Sequence, residues 1–358
     1  MPTPYWTNRL CRPEDTNALM TLVRAVHGDE YQWINHRYWQ WRYLNDAAFR
    51  AEVFMAEYEG RPIGVLPMAI FEFQWGAQRL QGAMYTGLLT HPDHRRRGIF
   101  RSLIESCNAR TAELGGLFSI GMPNEAALPG YFKFGDWVYV GLIPFYFKVM
   151  SVPAVLRTKI GRVMANALGA LPQLFLLRRR PSLGGPPVNV EPAQFVPTDL
   201  DEVADRFARD CGALMIRRSA AYWNWRYCTR PEVLYRTLVA RQAGCVMGAV
   251  ATTTQDRRGM EVGVILDIVS RDGTTGCRHL LRAAEQDLRA RGVGLVTCQA
   301  STPLLRQALQ AEHYWCPPAK WLPKKFHYIY RPTGVPGLLR LPKDIADWHL
   351  TFGDSDNI

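Results

Sequence analysis

The chain has 358 residues, of which 47% are hydrophobic and 21% are charged. This balance is typical of globular proteins and excludes a disordered or fibrous chain, and the length predicts two domains rather than one. No run of about 18 uncharged apolar residues occurs, and the first ten residues have no apolar core, so we expect neither a membrane-spanning helix nor a secretory signal.

The net charge of +11 is concentrated in one part of the chain. No Asp or Glu occurs between Asp136 and Glu191, and the same stretch contains seven Lys and Arg residues. Such an excess predicts an anionic partner: a nucleotide cofactor, a lipid headgroup or a nucleic acid. The eight cysteines form no CxxC pair, which predicts scattered thiols in a reducing compartment, a cytoplasmic location and no metal site.

The first half of the chain predicts a strand, a helix and then three more strands. The strands are predicted at Asn8–Cys11, Val53–Tyr58, Ile63–Phe73 and Leu80–Thr90, and the helix runs from Asp15 or Thr16 to Ala25. The segment YWQWRY at 38–43 recurs as YWNWRY at 222–227, 184 residues further on. We therefore predict two copies of one mixed α/β domain, in which the elements follow the order βαα-βββ-αβαβ.

The strongest chemical signal is LLTHPDHRRRGIFRSLI at residues 88–104. A predicted strand ends here, a short basic loop containing Gly98 follows, and a helix with Leu103 and Ile104 on its inner face begins. Such a loop directs successive backbone N–H groups at one point, the helix N-terminus adds partial positive charge, and arginines add charge-assisted contacts. The segment predicts a site for a pyrophosphate such as that of coenzyme A.

A second pattern follows the strand predicted at Leu117–Gly121. Asn124 is followed by Ala127 three residues later, Tyr131 seven later and Gly135 eleven later. Together with the loop at 95–100, this pattern resembles the GNAT (Gcn5-related N-acetyltransferase) family, whose loop reads Arg/Gln-x-x-Gly-x-Gly/Ala. The chain departs from that loop only at Phe100. The resemblance implies an α/β fold with a mixed sheet and an acyl-CoA-dependent acyltransferase.

The resemblance also implies a site for acetyl-CoA or another short acyl-CoA. Its residues would be Leu88, Leu89, Thr90, Arg95, Arg96, Arg97, Gly98, Ile99, Phe100, Arg101, Asn124, Ala127 and Tyr131. The backbone N–H of Leu89 or Thr90 would polarise the thioester carbonyl, Asn124 would bind the pantetheine region, and Tyr131 would protonate the departing thiolate. The sequence does not identify the base. Tyr85 is a candidate from its place on the strand, although packing alone could explain either tyrosine.

The second copy lacks this site in the sequence. Residues 270–278 have no Arg-x-x-Gly run, and residues 299–303 lack the Asn-Ala-Tyr series. We expect this copy to shape the acceptor pocket or to stabilise the first one. The YWxWRY segments could border an acceptor site or only pack helices on sheets; we favour packing because both copies keep these residues.

The predicted domain division is a catalytic domain at 1–150, a basic apolar linker at 151–187, a degenerate GNAT-like domain at 188–340 and a tail at 341–358. Within the linker, residues 152–180 combine apolar stretches with basic flanks, which predicts either peripheral contact with the inner face of a membrane or a helix packed between domains. The aromatic residues of the acidic tail predict that it docks between the domains.

The leading functional prediction is acetyl or short-acyl transfer to a primary amine. By resemblance to GNAT proteins of bacterial surface-polysaccharide pathways, the first acceptor to consider is an amino sugar. The alternatives are a Fem-like aminoacyl-tRNA-dependent transferase, which the intact coenzyme A loop disfavours, and an acyl-CoA-binding protein without catalysis. A small-molecule amine is thus the expected partner and nucleic acid is not.

Overall fold

The computed structural model describes residues 5–29, 34–44, 49–133, 136–157, 164, 168, 182–184, 188–322, 324–334 and 340–355. The helices are α1 (Thr16–His27), α2 (His36–Trp39), α3 (Ile99–Glu113), α4 (Leu128–Lys133), α5 (Val152–Arg157), α6 (Leu200–Cys211), α7 (Ala220–Trp223), α8 (Gly273–Ala290) and α9 (Pro303–Ala311). Single π-helical segments, Gln40–Leu44 and Asn224–Cys228, extend α2 and α7.

The strands of the first half are β1 (Thr7–Leu10), β2 (Arg50–Tyr58), β3 (Arg61–Trp75), β4 (Gln78–Tyr85), β5 (Leu89–Thr90), β6 (Phe118–Gly121), β7 (Val138–Leu142) and β8 (Phe145–Val149). Those of the second half are β9 (Asn189–Ala193), β10 (Leu214–Ile216), β11 (Arg236–Gln242), β12 (Cys245–Asp256), β13 (Glu261–Ser270), β14 (Leu295–Gln299) and β15 (His327–Pro332). They form two mixed sheets, as the predicted α/β class requires.

The two halves of the chain exchange strands. The first sheet has the order β1-β2-β3-β4-β6-β15-β7, with β5 and β10 also paired to β3, and the second has the order β8-β14-β13-β12-β11-β9. Thus β15 lies between β6 and β7 in the sheet of the first half, and β8 pairs with β14 in the sheet of the second. The division at residue 150 stays a prediction about domains, and both sheets contain residues from each side of it.

Two predicted strands differ from those observed. The strand predicted at Leu80–Thr90 is broken into β4 and β5, because Gly87 adopts a left-handed conformation with φ of +58°. The first strand of the second half, which the sequence predicts at Ala193–Val196, is observed at Asn189–Ala193. The backbone of Val196 instead exchanges two hydrogen bonds with the side chain of Asn224, at 2.8 and 3.0 Å.

The repeated aromatic segments meet face to face in the core. The indole rings of Trp41 and Trp225 stack with centroids 4.9 Å apart and an angle of 12° between their planes. Trp41 Nε1 donates to the carbonyl of Trp225 at 3.1 Å, and Trp225 Nε1 donates to the carbonyl of Trp41 at 3.3 Å. Equivalent residues of the repeat therefore make the same contact with each other, as across a two-fold axis. This geometry confirms the packing interpretation of these two tryptophans.

The C-terminal tail is part of this core. Trp348 is fully buried and packs edge-on against Phe118 and Tyr328, with centroids 6.0 and 4.9 Å away. Arg218 joins the tail to the second sheet, because its guanidinium binds Asp267 of β13 and Asp354 of the tail at 2.6 Å each. Burial lowers the pKa of His349, but the Asp267 carboxylate 3.8 Å away and the side chain of Cys211 together outweigh burial and raise that pKa to about 9. The predicted docking of the tail is confirmed.

We expect Trp225→Ala to lower the free energy of unfolding by about 3–5 kcal/mol, because it empties a core position and removes the partner of Trp41. Urea unfolding measures the change. Trp321→Ala is the control, since Trp321 is 62% exposed and its loss should change stability by about 0.5 kcal/mol or less. Equal effects of the two substitutions would contradict the structural role of the stacked pair.

Candidate active site

A cavity opens where two parallel strands of the first sheet diverge. The pairing of β4 with β6 ends at Tyr85 and Gly121. Beyond it, residues 86–88 and residues 122–124 form opposite walls of a cavity of about 300 Å³. The break at Gly87 creates this opening, because the chain leaves β6 at Tyr85 and rejoins β3 as β5.

The predicted basic loop leads directly into α3. Gly98 is the residue before the helix and has φ of +95°, a conformation that side chains with a Cβ rarely adopt. Ile99 begins the helix and is buried against β3, where a Cβ on Gly64 would lie 2.6 Å from the Ile99 side chain. The N-terminus of α3 is thereby held close to the sheet, beside β5 and the cavity.

The arginines of the loop surround this helix N-terminus and are exposed from Arg95 to Arg97. Arg95 Nε donates to the carbonyl of Thr90 at 3.4 Å, and Arg97 lies over the ring of Tyr5, 5.3 Å from its centroid. Arg101 pairs with Glu105 at 2.7 Å. Guanidinium groups and helical N–H groups at one point form an arrangement that suits a pyrophosphate.

The backbone of β5 favours Thr90 over Leu89 as the donor to a carbonyl in the cavity. His91 N donates to the Ile63 carbonyl of β3 at 2.9 Å. Since successive N–H groups of an extended strand point to opposite sides, the N–H of Leu89 faces β3 and that of Thr90 faces the gap.

Asn124 and Ala127 form the turn that begins α4. Asn124 Oδ1 accepts the N–H of Ala127 at 2.8 Å, and the Asn124 carbonyl accepts the N–H of Leu128 at 3.1 Å. Both Asn124 and Ala127 line the cavity. Gly135, the fourth position of the motif, lies outside the described residues.

Tyr131 lies on α4 at the cavity and is 6% exposed. Its ring packs edge-on against Phe100 and Trp137, with centroids 5.2 and 5.0 Å away. Burial raises the pKa of Tyr131 well above its ordinary value, so its hydroxyl stays protonated at neutral pH. A protonated hydroxyl at a cavity can donate a proton but cannot accept one.

Phe100, the departure from the family loop, fits against a glycine of α4. A Cβ on Gly130 would lie 3.2 Å from Cζ of Phe100. The large residue on α3 is thus matched by the absence of a side chain on α4, and the Phe100 ring also lines the cavity.

The surroundings of the Tyr85 hydroxyl do not favour the role of base predicted for it. It shares hydrogen bonds with Ser119 Oγ at 2.8 Å and Thr111 Oγ1 at 3.1 Å, between β6 and α3. Burial raises the pKa of Tyr85 far above its ordinary value. Such a group is a poor proton acceptor at neutral pH, so Tyr85 as the base stays a prediction that its surroundings disfavour.

Several cavity residues were missed because they are distant in sequence. His27 ends α1, Lys324 to Phe326 precede β15, and Asp354 and Ser355 belong to the tail. Strand exchange and tail docking bring the last two groups to the first sheet. The aromatic residues of the tail were the one signal that could have indicated them.

Comparisons with known proteins agree with this geometry. Residues 7–140 match the family described as an acetyltransferase (GNAT) domain. Residues 7–140 are a GNAT acetyltransferase domain. Because GNAT enzymes take the acyl group from an acyl-CoA, this domain is an acyltransferase whose co-substrate is an acyl-CoA.

Solved structures share the fold over 92% of the chain. A GCN5-related N-acetyltransferase from Anabaena variabilis matches with a TM-score of 0.65 and 14% identity, over 73% of its own length. A probable N-acyltransferase of Enterococcus faecalis matches with a TM-score of 0.61 and 10% identity, over 73% of its own length. Saccharomyces cerevisiae N-myristoyltransferase with bound myristoyl-CoA matches with a TM-score of 0.58 and 7% identity, over 85% of its own length. No curated protein matches the sequence of the chain.

Two further searches covered the part of the chain that the structure describes. Within it, no group of three or more His, Cys, Asp or Glu residues is arranged to hold a metal ion. None of the described helices combines the length and the apolar character needed to cross a membrane. Of the segment 152–180, α5 is described together with Met164 and Leu168, and the rest lies outside the described residues.

We expect the fit between Phe100 and Gly130 to appear as coupling in a double-mutant cycle. In the wild type, Gly130→Ala forces a methyl group against the Phe100 ring. The same substitution in a Phe100→Leu background should therefore lower the free energy of unfolding by about 1 kcal/mol less. Urea unfolding of the two single variants and the double variant measures the coupling. Additive effects would show that the ring does not rest on Gly130.

Proposed function

We propose that the GNAT domain transfers an acetyl or short acyl group from its CoA thioester to a primary amine, in the cavity between β4 and β6. The observation that carries the proposal is the position of this cavity. It lies between the N-terminus of α3, where a pyrophosphate can bind, and Tyr131, a proton donor.

The two faces of the first sheet would serve the two substrates. Tyr85, Ile99 and Tyr131 belong to one apolar cluster, on the face covered by α3 and α4. Met84, its neighbour on β4, belongs to the other cluster together with α1 and the tail. A CoA thioester entering from the α3 face would present its acyl group to the opposite face through the gap, where the amine would approach.

The residues of the chain divide the chemistry between them. Arg95 to Arg97 and the N-terminus of α3 bind the phosphates, and the N–H of Thr90 stabilises the negative charge that develops on the thioester oxygen. The amine nitrogen forms a bond to the carbonyl carbon and the C–S bond breaks. Tyr131 gives its proton to the departing sulfur, and the amine loses its proton to a base or to water.

For the acceptor, we propose an amino sugar as the first class to test. Its support is the sequence resemblance to GNAT proteins of surface-polysaccharide pathways. The same resemblance and the basic composition of 152–180 support a location in the cytoplasm or at the inner face of a membrane, where lipid-linked or nucleotide-linked sugars would be reached.

Acetyl-CoA should bind to the chain with a stoichiometry of one, and a variant with Gly98→Asp and Arg97→Glu should bind it about a hundredfold more weakly or not at all, because two charges then repel the phosphates. Titration calorimetry measures both quantities. Arg289→Glu, a charge reversal at an exposed position of α8 away from the loop, is the control and should bind normally. If the wild type does not bind acetyl-CoA, the assignment of an acyl-CoA site is wrong, and binding of transfer RNA or lipid becomes the next experiment.

Tyr131→Phe should lower kcat by about a hundredfold or more while the affinity for acetyl-CoA stays the same, since only the donated proton is lost. Thiol release in the presence of glucosamine and other amines provides the assay. Tyr139→Phe, an exposed tyrosine on β7, is the control and should retain full activity. If Tyr131→Phe changes nothing, the chain binds acyl-CoA without using this residue as the acid.

A further inference from the structure

The two halves of the chain have the same strand register around the opening. Gly64 and Gly248 are equivalent in the sequence repeat, and they pair with Thr90 and Ser270. The parallel pairing of the first half ends at Tyr85 and Gly121, and that of the second half ends at Ile265 and Cys298. The second half therefore has a gap in the place that corresponds to the cavity of the first.

That second gap is filled by the tail. Ser301 stands three residues after Cys298, as Asn124 stands three residues after Gly121. The hydroxyl of Ser301 donates to the carbonyl of Trp348 and accepts the N–H of Leu350 at 2.7 Å. The Ser301 side chain thus binds the backbone of the tail on both sides of His349, at the position that corresponds to one wall of the cavity.

The buried charged groups beside this gap form one network with the tail. Asp267 corresponds to Gly87 in the register, and its carboxylate binds Arg218 at 2.6 Å and Tyr227 Oη at 2.8 Å. Arg218 in turn binds Asp354 at 2.6 Å. Arg218 and Asp267 are buried, so without Asp354 the guanidinium would lose one of its two carboxylates in the protein interior.

Gly353 shows how closely the tail is seated. A Cβ on this residue would lie 2.0 Å from Tyr227 Oη and 3.0 Å from Asp267 Oδ2. Only glycine allows the backbone to approach these groups. Arg226 fixes the same segment by donating to the carbonyls of Gly353 at 3.0 Å and Ser355 at 2.7 Å.

We propose that residues 348–355 are an internal ligand of the second half and occupy the gap equivalent to the acyl-CoA cavity. Binding of the tail in this gap would position the acceptor wall, the part of the first half's cavity that Asp354 and Ser355 form and that the amine would approach. Asp354 and Ser355 line that cavity, on the face opposite α3. Arg218, Asp267 and Tyr227 thus act on the reaction only through the tail and are positioning residues. The second part of the proposal rests on the proposed function.

The test uses hydrogen–deuterium exchange of the full chain and of Gly353→Ala. Wild-type amides at 348–355 should exchange as slowly as those of the central strands, and saturating acetyl-CoA should leave the amides of 348–352 protected. Gly353→Ala should speed exchange of the tail about tenfold or more. In the thiol-release assay with glucosamine and other amines, it should raise the KM for the accepted amine by about the same factor, with acetyl-CoA affinity unchanged.

Gly263→Ala is the matched control. Gly263 lies at the other end of β13, where a Cβ would lie 2.9 Å from the side chain of Leu288, so it strains the same sheet without touching the tail. It should leave tail exchange and the acceptor KM unchanged. Fast exchange of the wild-type tail would overturn the internal ligand, and a released tail with an unchanged KM would overturn its role at the acceptor wall. A chain that shows slow tail exchange but binds no acetyl-CoA would contradict the proposed function and leave the internal ligand standing.

Discussion

The architecture depends on the exchange of strands between the two halves of the chain. β6 and β14 each pair along one side with a strand that the other half supplies, β15 and β8. An unpaired buried strand edge would leave N–H and C=O groups without partners, at a cost of several kcal/mol over a whole strand. The halves are therefore unlike two domains on a tether, and the stacked pair of Trp41 and Trp225 lies in the shared core between the two sheets. We expect the described parts of both halves to unfold together.

The two gaps differ in that one is open as a cavity and the other is filled by the tail. In the first half, Gly87 breaks the strand and the gap opens as a cavity. In the second half, the strand continues through Asp267, and the carboxylate at this position, with Arg218 and Tyr227, binds the tail. We propose that one half offers its gap to a co-substrate and that the other uses its gap to hold a segment of the same chain. The end of that segment forms part of the first cavity, which links the second half to the proposed chemistry.

The sequence predicted the mixed α/β class, the position of α3 and the loop before it, and the docking of the tail. These features follow from local patterns: a glycine before an amphipathic helix, or aromatic residues in a short acidic segment. The exchange of β8 and β15 could not be predicted in this way, because both are ordinary apolar strands and their choice of sheet depends on contacts across the whole chain. For the same reason Lys324, Lys325 and Ser355 were not recognised as cavity residues. The break at Gly87 was missed because the surrounding pattern continues as a strand on both sides.

The most direct test of this account is an experimental structure of the chain with bound coenzyme A. The account predicts one molecule per chain, with its phosphates at the N-terminus of α3 and its pantetheine arm between residues 86–88 and 122–124. Residues 348–355 should remain in the gap beyond the point where the pairing of β13 with β14 ends. Coenzyme A bound in the gap of the second half, with the tail displaced, would contradict the division of roles between the two gaps. Coenzyme A bound outside both gaps would contradict the assignment of the cavity itself.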